Sequence, residues 1–178
     1  NETNNPAKTI SLSEGTYSVG KDIEIGFYDI KYAKGEVKYN GATLSENDKI
    51  LNVELHNRNR LEIEGNGEIL FEPSEFSTIK KDNENNIIIQ NSGTYIAGSD
   101  IPTGEYFLSL EESVNKDNQE IFVKIQSHYD SSETERSFSI KKANERNLIN
   151  LSEGKVLYID KHFTGEEELD TDIVLSSK

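Results

Sequence analysis

Apolar residues along this chain recur mainly at every second position, in short runs broken by Gly, Asn, Asp or Pro. Ile10 and Leu12 share one face, as do Tyr28, Ile30 and Tyr32, then Leu51, Val53 and Leu55, then Leu61 and Ile63. Tyr106, Leu108 and Leu110 repeat the pattern further on. A two-residue period is the mark of half-buried strands. Val37-Lys38-Tyr39-Asn40-Gly41-Ala42-Thr43-Leu44 predicts a tight hairpin, because Asn-Gly readily supplies the two φ > 0 residues of a type I′ turn. Gly65-Asn66-Gly67 predicts another turn, leading into Ile69-Leu70-Phe71. Helical signals are scarce, and Glu145 to Ile149 is the nearest to one. The predicted fold class is all-β, built as small antiparallel β-sandwich or barrel-like domains.

The strands belong to an internal duplication. Gly15-Thr16-Tyr17-Ser18-Val19-Gly20-Lys21-Asp22-Ile23-Glu24-Ile25-Gly26-Phe27-Tyr28 returns as Gly93-Thr94-Tyr95-Ile96-Ala97-Gly98-Ser99-Asp100-Ile101-Pro102-Thr103-Gly104-Glu105-Tyr106, with eight of fourteen positions identical at an offset of 78. Gly-Thr-Tyr suits the start of a strand, and Asp22 or Asp100 suits a turn. Ile101-Pro102-Thr103-Gly104 then fits a type I turn before a second strand. Ile10 aligns with Ile88 at the same offset. Later, Val53, Leu55, Leu61 and Ile63 align with Ile149, Leu151, Leu157 and Ile159 at an offset of 96. The second copy has therefore gained 96 − 78 = 18 residues between Leu110 and Asn147. That interval holds Ile121 to Tyr129 and Arg136 to Ile140, joined by Asp130 to Glu135, and reads as the Asn-Gly hairpin grown longer in both arms.

This pattern, G-x-Y-x-V-G-x-D-I-P-x-G-x-Y closed later by L-x-x-G-x-x-L-x-I, resembles a repeat of secreted proteins and lipoproteins of Gram-positive bacteria, mostly of unassigned activity. The first copy departs from it at Glu24-Ile25 and the second at Ala97. The resemblance implies exported, envelope-associated, non-catalytic domains and supplies no catalytic residue. Asn1-Glu2-Thr3-Asn4-Asn5-Pro6 reads as a polar tether of the sort that follows a cleaved signal or a lipid-anchored cysteine. With the resemblance, it implies an extracellular or envelope-associated chain, preceded by either a cleaved signal or a lipid anchor. The expected organisation is a tether at 1–7, a β domain at 8–80, a linker at 81–86, and a second β domain with the extended hairpin at 87–178.

Charge narrows the partners. The 178 residues carry a net charge of −14. Fourteen acidic against nine basic residues through Lys80 leave −5, and nineteen against ten beyond it leave −9. Nothing here would neutralise phosphates, so no nucleic-acid partner is expected and anionic membrane surfaces are disfavoured. No run is long and apolar enough to span a membrane. Cysteine is absent, which removes disulfides and thiolate chemistry.

Candidate chemistry is thin. His56, His128 and His162 show no metal-ligand spacing. No Gly-x-Ser-x-Gly elbow is present, and Gly65-x-Gly67 lacks the rest of a dinucleotide fingerprint. Asp82-x-Glu84-x-Asn86, Asp117-Asn118 and Asp130 to Glu135 are oxygen-rich loops that would suit calcium, but no cofactor is expected and no ligand set stands out. Glu166-Glu167-Glu168 reads as a solvated charge run. With no Trp in the chain, a sugar platform would have to be Tyr. Tyr17, Tyr28, Tyr95 and Tyr106 recur and so read as packing residues, leaving Tyr39 and Tyr129 on the hairpins. The candidate partner contacts are His128, Tyr129, Asp130, Glu133 and Glu135.

These features point to a non-catalytic extracytoplasmic module that binds a protein or glycan at the cell surface. The alternatives are a cell-wall glycan hydrolase working through paired carboxylates and a purely structural spacer.

Overall fold

A computed structural model describes residues 4–111, 120–162 and 171–178. Among these residues the chain is all-β, with sixteen strands and no α-helix. It forms two compact units, the first ending at Glu75 and the second beginning at Phe76.

Unit 1 contains β1 (Ile10–Leu12), β2 (Gly15–Ser18), β3 (Gly26–Lys34), β4 (Val37–Tyr39), β5 (Ala42–Leu44), β6 (Lys49–Leu55), β7 (Arg60–Gly65) and β8 (Glu68–Pro73). The strands β1-β8-β3-β6 lie side by side in one layer, all antiparallel. The strands β2-β7-β4-β5 form the other. Period-two alternation sends Tyr28, Ile30, Ile69 and Phe71 inward from the first layer, and Val37, Tyr39, Leu44, Leu61 and Ile63 inward from the second, into one core. Phe71 joins the layers. The Tyr28 ring meets it edge-on at 6.1 Å and the Tyr39 ring, from the opposite layer, at 5.9 Å, both within the favourable edge-to-face range. Tyr39 is therefore a core residue, contrary to its expected exposure: its place inside a three-residue strand points it at Phe71.

The Asn40-Gly41 turn forms as its composition dictates, with φ of 47° and 87°. The pattern on β6 is modified by a bulge. Tyr28 pairs with Val53 but Ile30 with Ile50, so Ile50 rather than Leu51 continues the register. Asn52 at the bulge takes φ 56°. Its amide donates to Asp29 Oδ1 at 3.0 Å, and Ser74 Oγ bonds its side-chain oxygen. Asn5, near the predicted tether's end, accepts the Phe27 amide and donates to the Phe27 carbonyl, each at 2.9 Å, which ties it to β3.

Unit 2 contains β9 (Asn86–Ile89), β10 (Ser92–Ile96), β11 (Gly104–Leu110), β12 (Ile121–Gln126), β13 (Thr134–Ile140), β14 (Asn147–Leu151), β15 (Val156–Asp160) and β16 (Ile173–Ser177). Its pairings are β9-β16-β11-β14 and β10-β15-β12-β13, again antiparallel. Strand for strand this is the order of unit 1. Gly26 lies opposite Leu55 as Gly104 lies opposite Leu151, and Gly15 opposite Ile63 as Gly93 opposite Ile159. Glu145 and its neighbours form a turn before β14, whose Ile149 is buried opposite Tyr106. The segment from Phe76 goes with unit 2: Ile79 N–H donates to Asp100 O at 2.7 Å and Thr78 Oγ1 to Ser99 O at 2.9 Å.

Two alignments differ from the sequence pattern. Leu12 lies opposite Ile69 as Ile89 lies opposite Ile173, so the position in unit 2 equivalent to Ile10 is Ile87, not Ile88. The extra residue before the motif is accommodated around Ser92, whose hydroxyl accepts the Lys161 amide at 2.9 Å. The tight turn of the motif also falls earlier than Pro102. Gly98 N–H donates to Ile101 O at 2.8 Å and Asp100 N–H to Ile96 O at 2.8 Å, which closes Gly98–Asp100.

The core geometry sets an order of sensitivities. Phe71→Ala should cost about 3–5 kcal/mol, because the ring fills the gap between two layers. Tyr129→Ala, at an exposed position, should cost less than about 0.5 kcal/mol. Guanidinium unfolding of the two variants checks both values.

Candidate functional site

The conspicuous motif is framework. Tyr17, Tyr28, Tyr95 and Tyr106 each follow a glycine by two residues, and each hydroxyl donates to the carbonyl four residues back. The bonds run to Ser13 (2.7 Å), Glu24 (2.7 Å), Asn91 (2.6 Å) and Pro102 (2.6 Å). To reach that carbonyl the ring must fold back over the glycine. A Cβ on Gly15 would lie 3.2 Å from the Tyr17 hydroxyl, and one on Gly104 would lie 3.3 Å from the Tyr106 ring. Burial raises the Tyr28 and Tyr106 hydroxyls above the usual tyrosine value, so they remain donors at any physiological pH.

The recurring aspartates are equally structural. Asp22 Oδ2 accepts the Ser18 amide and Asp100 Oδ2 the Ile96 amide, both at 2.7 Å. Asp100 is buried, and burial raises its carboxyl above the usual value, with the Ile96 hydrogen bond opposing in part.

Four of the candidate contacts, His128, Tyr129, Asp130 and Glu133, lie on the turn between β12 and β13, and Glu135 lies on β13. The register shifts where the turn begins, with Glu135 the extra residue opposite Ile125 and Gln126. Gln126 Nε2 then reaches back to the carbonyls of Ser131 and His128. Ser127 N–H donates to Glu133 O at 3.0 Å, Ser131 N–H to His128 O at 3.0 Å, and Glu133 N–H to Ser131 Oγ at 3.1 Å. Each bond is local, so together they fix the turn without burying it.

His128 and Tyr129 project from this frame. Their rings stack at 4.2 Å with a 31° tilt. His128 Nδ1 accepts the Asp130 amide at 3.1 Å, which places the ring proton of the neutral form on Nε2. The Asp130 carboxylate is 3.7 Å from the same nitrogen. Tyr129 N–H donates to Gly154 O at 2.9 Å, and Tyr129 is 56% exposed. Every other tyrosine is buried or half-buried, as is every phenylalanine among the described residues.

Gly154 makes this packing possible. A Cβ there would lie 2.6 Å from His128 Cδ2 and 2.7 Å from its Nε2. Its φ of 85° is not the whole reason for glycine, because Arg58, at the same place in unit 1, holds φ 75°. Both positions also donate their amide to matching carbonyls, Arg58 to Val19 and Gly154 to Ala97. What distinguishes unit 2 is the imidazole lying on the backbone.

Glu135 is directed elsewhere. Its carboxylate pairs with Lys155 Nζ at 2.9 Å, and it lines a cavity of about 330 Å³ at the mouth between β13 and β14. Ile125, Leu148 and Ile149 form the apolar side, with Arg136 and Glu105 among the polar groups. The Arg136 guanidinium spans the mouth, donating to Leu148 O at 2.5 Å and Asn147 Oδ1 at 3.3 Å. Glu105 pairs with Lys178 at 3.2 Å. The structure thus gathers His128, Tyr129 and Asp130, uses the Glu133 backbone to brace their turn, and separates Glu135 from them by role.

Among the described residues no three His, Cys, Asp or Glu side chains group as metal ligands. In the Asp82 loop, Asp82 Oδ1 accepts the amides of Glu84 and Asn86, each at 2.9 Å. Asp117-Asn118 and Glu166-Glu167-Glu168 lie outside the described residues. His56 stands at the surface 3.2 Å from Glu54, and the His162 amide donates to Asp160 Oδ1 at 2.8 Å. No helix among the described residues is long and apolar enough to cross a membrane. Comparison with protein-family models, curated proteins and solved structures gives no match.

Sequence reasoning missed the parts that hold the turn: Gly154, Gln126 and Ser131. One signal was present for Gly154, the Leu151-x-x-Gly154 spacing, where the first copy has Leu55-x-x-Arg58.

Two outcomes follow from this geometry. Gly154→Ala should displace His128 and Tyr129, cutting the amide NMR signature of the turn while leaving the shifts of β9, β11 and β16 in place. A carboxyl with a raised folded value holds its proton more tightly folded than unfolded, so its contribution is fully present below the unfolded value and is lost as pH rises through the folded one. Asp100→Asn keeps an acceptor for the Ile96 amide and removes that titration. Subtracting its stability curve from that of the native chain, by urea unfolding from about pH 3 to about pH 7, should leave a decline beginning in the usual carboxylate range.

Proposed function

We propose that the chain is a tandem duplication of one eight-stranded β unit, working outside the cytoplasm at a bacterial envelope as a non-catalytic binding module. The second copy carries the contact surface, at the turn between β12 and β13, and the partner is a protein or glycan of that surface. The observation that carries this reading is Tyr129: the only exposed Tyr or Phe ring among the described residues stands on a turn fixed by its own hydrogen bonds. A chain gains little stability by ordering a polar turn around an exposed ring, whereas a binder gains by having the ring already in place. Matching strand order in the two units supports the duplication. Export rests on the repeat's resemblance to those of secreted proteins, and the reading calls on no cofactor.

A second reading has one observation in its favour. Glu105 and Glu135 line a common cavity, the arrangement that a wall-glycan hydrolase with paired carboxylates would use. Each is already ion-paired to a lysine, which makes it the weaker of the two.

Retention on isolated Gram-positive wall fragments decides between them. Tyr129→Ala should abolish retention with the melting temperature unchanged, and Glu105→Gln with Glu135→Gln should leave it intact. Release of soluble sugar by the native chain, lost in the glutamine variants, would establish the hydrolase instead.

A further inference from the structure

We infer that the β12–β13 turn is a sugar platform, on which the Tyr129 ring takes the apolar face of a neutral or amine-bearing pyranose of a polysaccharide. This deepens the binding reading above and rests on it.

The size of the apolar contact selects the partner. A protein interface buries roughly 800 Å² on each side and centres on several clustered apolar anchors. Here one tyrosine ring is backed by one imidazole, and the chain continues as Asp130, Ser131, Ser132 and Glu133 in the same turn. A pyranose needs no more than that. Its axial C–H bonds form an apolar face the size of a single ring, and its hydroxyls require acceptors close by.

The rigidity of the ring fits the same ligand. A sugar offers little apolar area, so its affinity survives only where little entropy is lost on binding. Tyr129 is held through its amide on Gly154 O, His128 through Asp130 and the bare Gly154 backbone. In unit 1 the matching hairpin is a two-residue Asn-Gly turn, and Arg58 stands where Gly154 would be. The platform thus belongs to the second copy alone.

Charge sets the class of sugar. The chain carries a net charge of −14, and Asp130 is largely exposed beside the platform. Carboxylates accept hydroxyl or ammonium donors and repel uronic or sialic acids. A single platform of this size binds at about millimolar strength, and repetition along a polysaccharide raises retention by avidity.

The test uses the full chain and three probes of matched length: a chito-oligosaccharide, its deacetylated form and a hyaluronan oligosaccharide. Calorimetry and amide NMR shifts at residues 127–133 report binding. Binding of either chitin-derived probe, about tenfold weaker in Tyr129→Ala and kept in Tyr129→Phe, supports the inference. Hyaluronan binding as strongly as the others overturns it. Wall fragments with and without protease treatment separate this inference from the reading beneath it. Tyr129-dependent retention that survives protease supports a glycan, even one outside the panel. Retention that protease removes overturns the sugar platform and leaves a protein-binding module. Retention indifferent to Tyr129 overturns both.

Discussion

The hydrogen bond from a tyrosine hydroxyl to the carbonyl four residues earlier is the constraint on which both units depend. It occurs four times, at Tyr17, Tyr28, Tyr95 and Tyr106, with lengths of 2.6–2.7 Å. Each bond turns the chain back against the start of its own strand, and the ring then shields the backbone it has folded over. At Gly15 and Gly104 the tyrosine ring crowds the space a side chain would need, and at Gly26 Asn5 and Ala7 crowd it. Because Tyr28 and Tyr106 are fully buried, each bond also satisfies a hydroxyl that would otherwise cost about 1–3 kcal/mol to leave unpaired in the core. Strand entry, core filling and polar satisfaction therefore reside in one side chain.

With the entries of β2, β3, β10 and β11 fixed in this way, the hairpins between them are free to differ. In unit 1, β4 and β5 are three residues each and meet through Asn40-Gly41. In unit 2, β12 and β13 have six and seven residues, and their turn must be built from side chains rather than from backbone geometry alone. Gln126 and Ser131 do this work. The lengthened arm also leaves β13 an edge of its layer among the described residues, and Arg136 crosses to β14 to close the mouth. The charge on that edge discourages pairing with other strands.

How much of this was legible follows the range of the forces. The two-residue periods, the Asn-Gly turn and the recurring glycines and tyrosines are local or repeated, so they could be read directly. Tyr39 could not, because only the opposite layer reveals that Phe71 stands beneath it. Leu51 misled because the bulge at Asn52 depends on Asp29, a carboxylate 23 residues away in the chain. The offset near Ile10 slipped by one because Ile87, Ile88 and Ile89 are alike in sequence, and only the pairing with β16 distinguishes their faces. At the candidate site, the exposure of Tyr129 was readable from its place outside the repeat. The importance of Gly154 was not, since its φ is shared by Arg58 and only the distance to His128 separates the two.

Both units use a bulge, and the two serve different surroundings. In unit 1 the bulge places Asn52 beside Asp29 and Ser74, all three buried, with Asn52 hydrogen-bonded to each of the other two. Such a closed network contributes to a unique packing and presents nothing to solvent. In unit 2 the bulge falls at the start of β13, where Glu135 is the extra residue opposite Ile125 and Gln126. There the Gln126 side chain braces carbonyls of the turn at the surface, beside the exposed ring of Tyr129. A framework anchored by buried tyrosines can carry such a change at a hairpin tip, because no core residue moves to accommodate it.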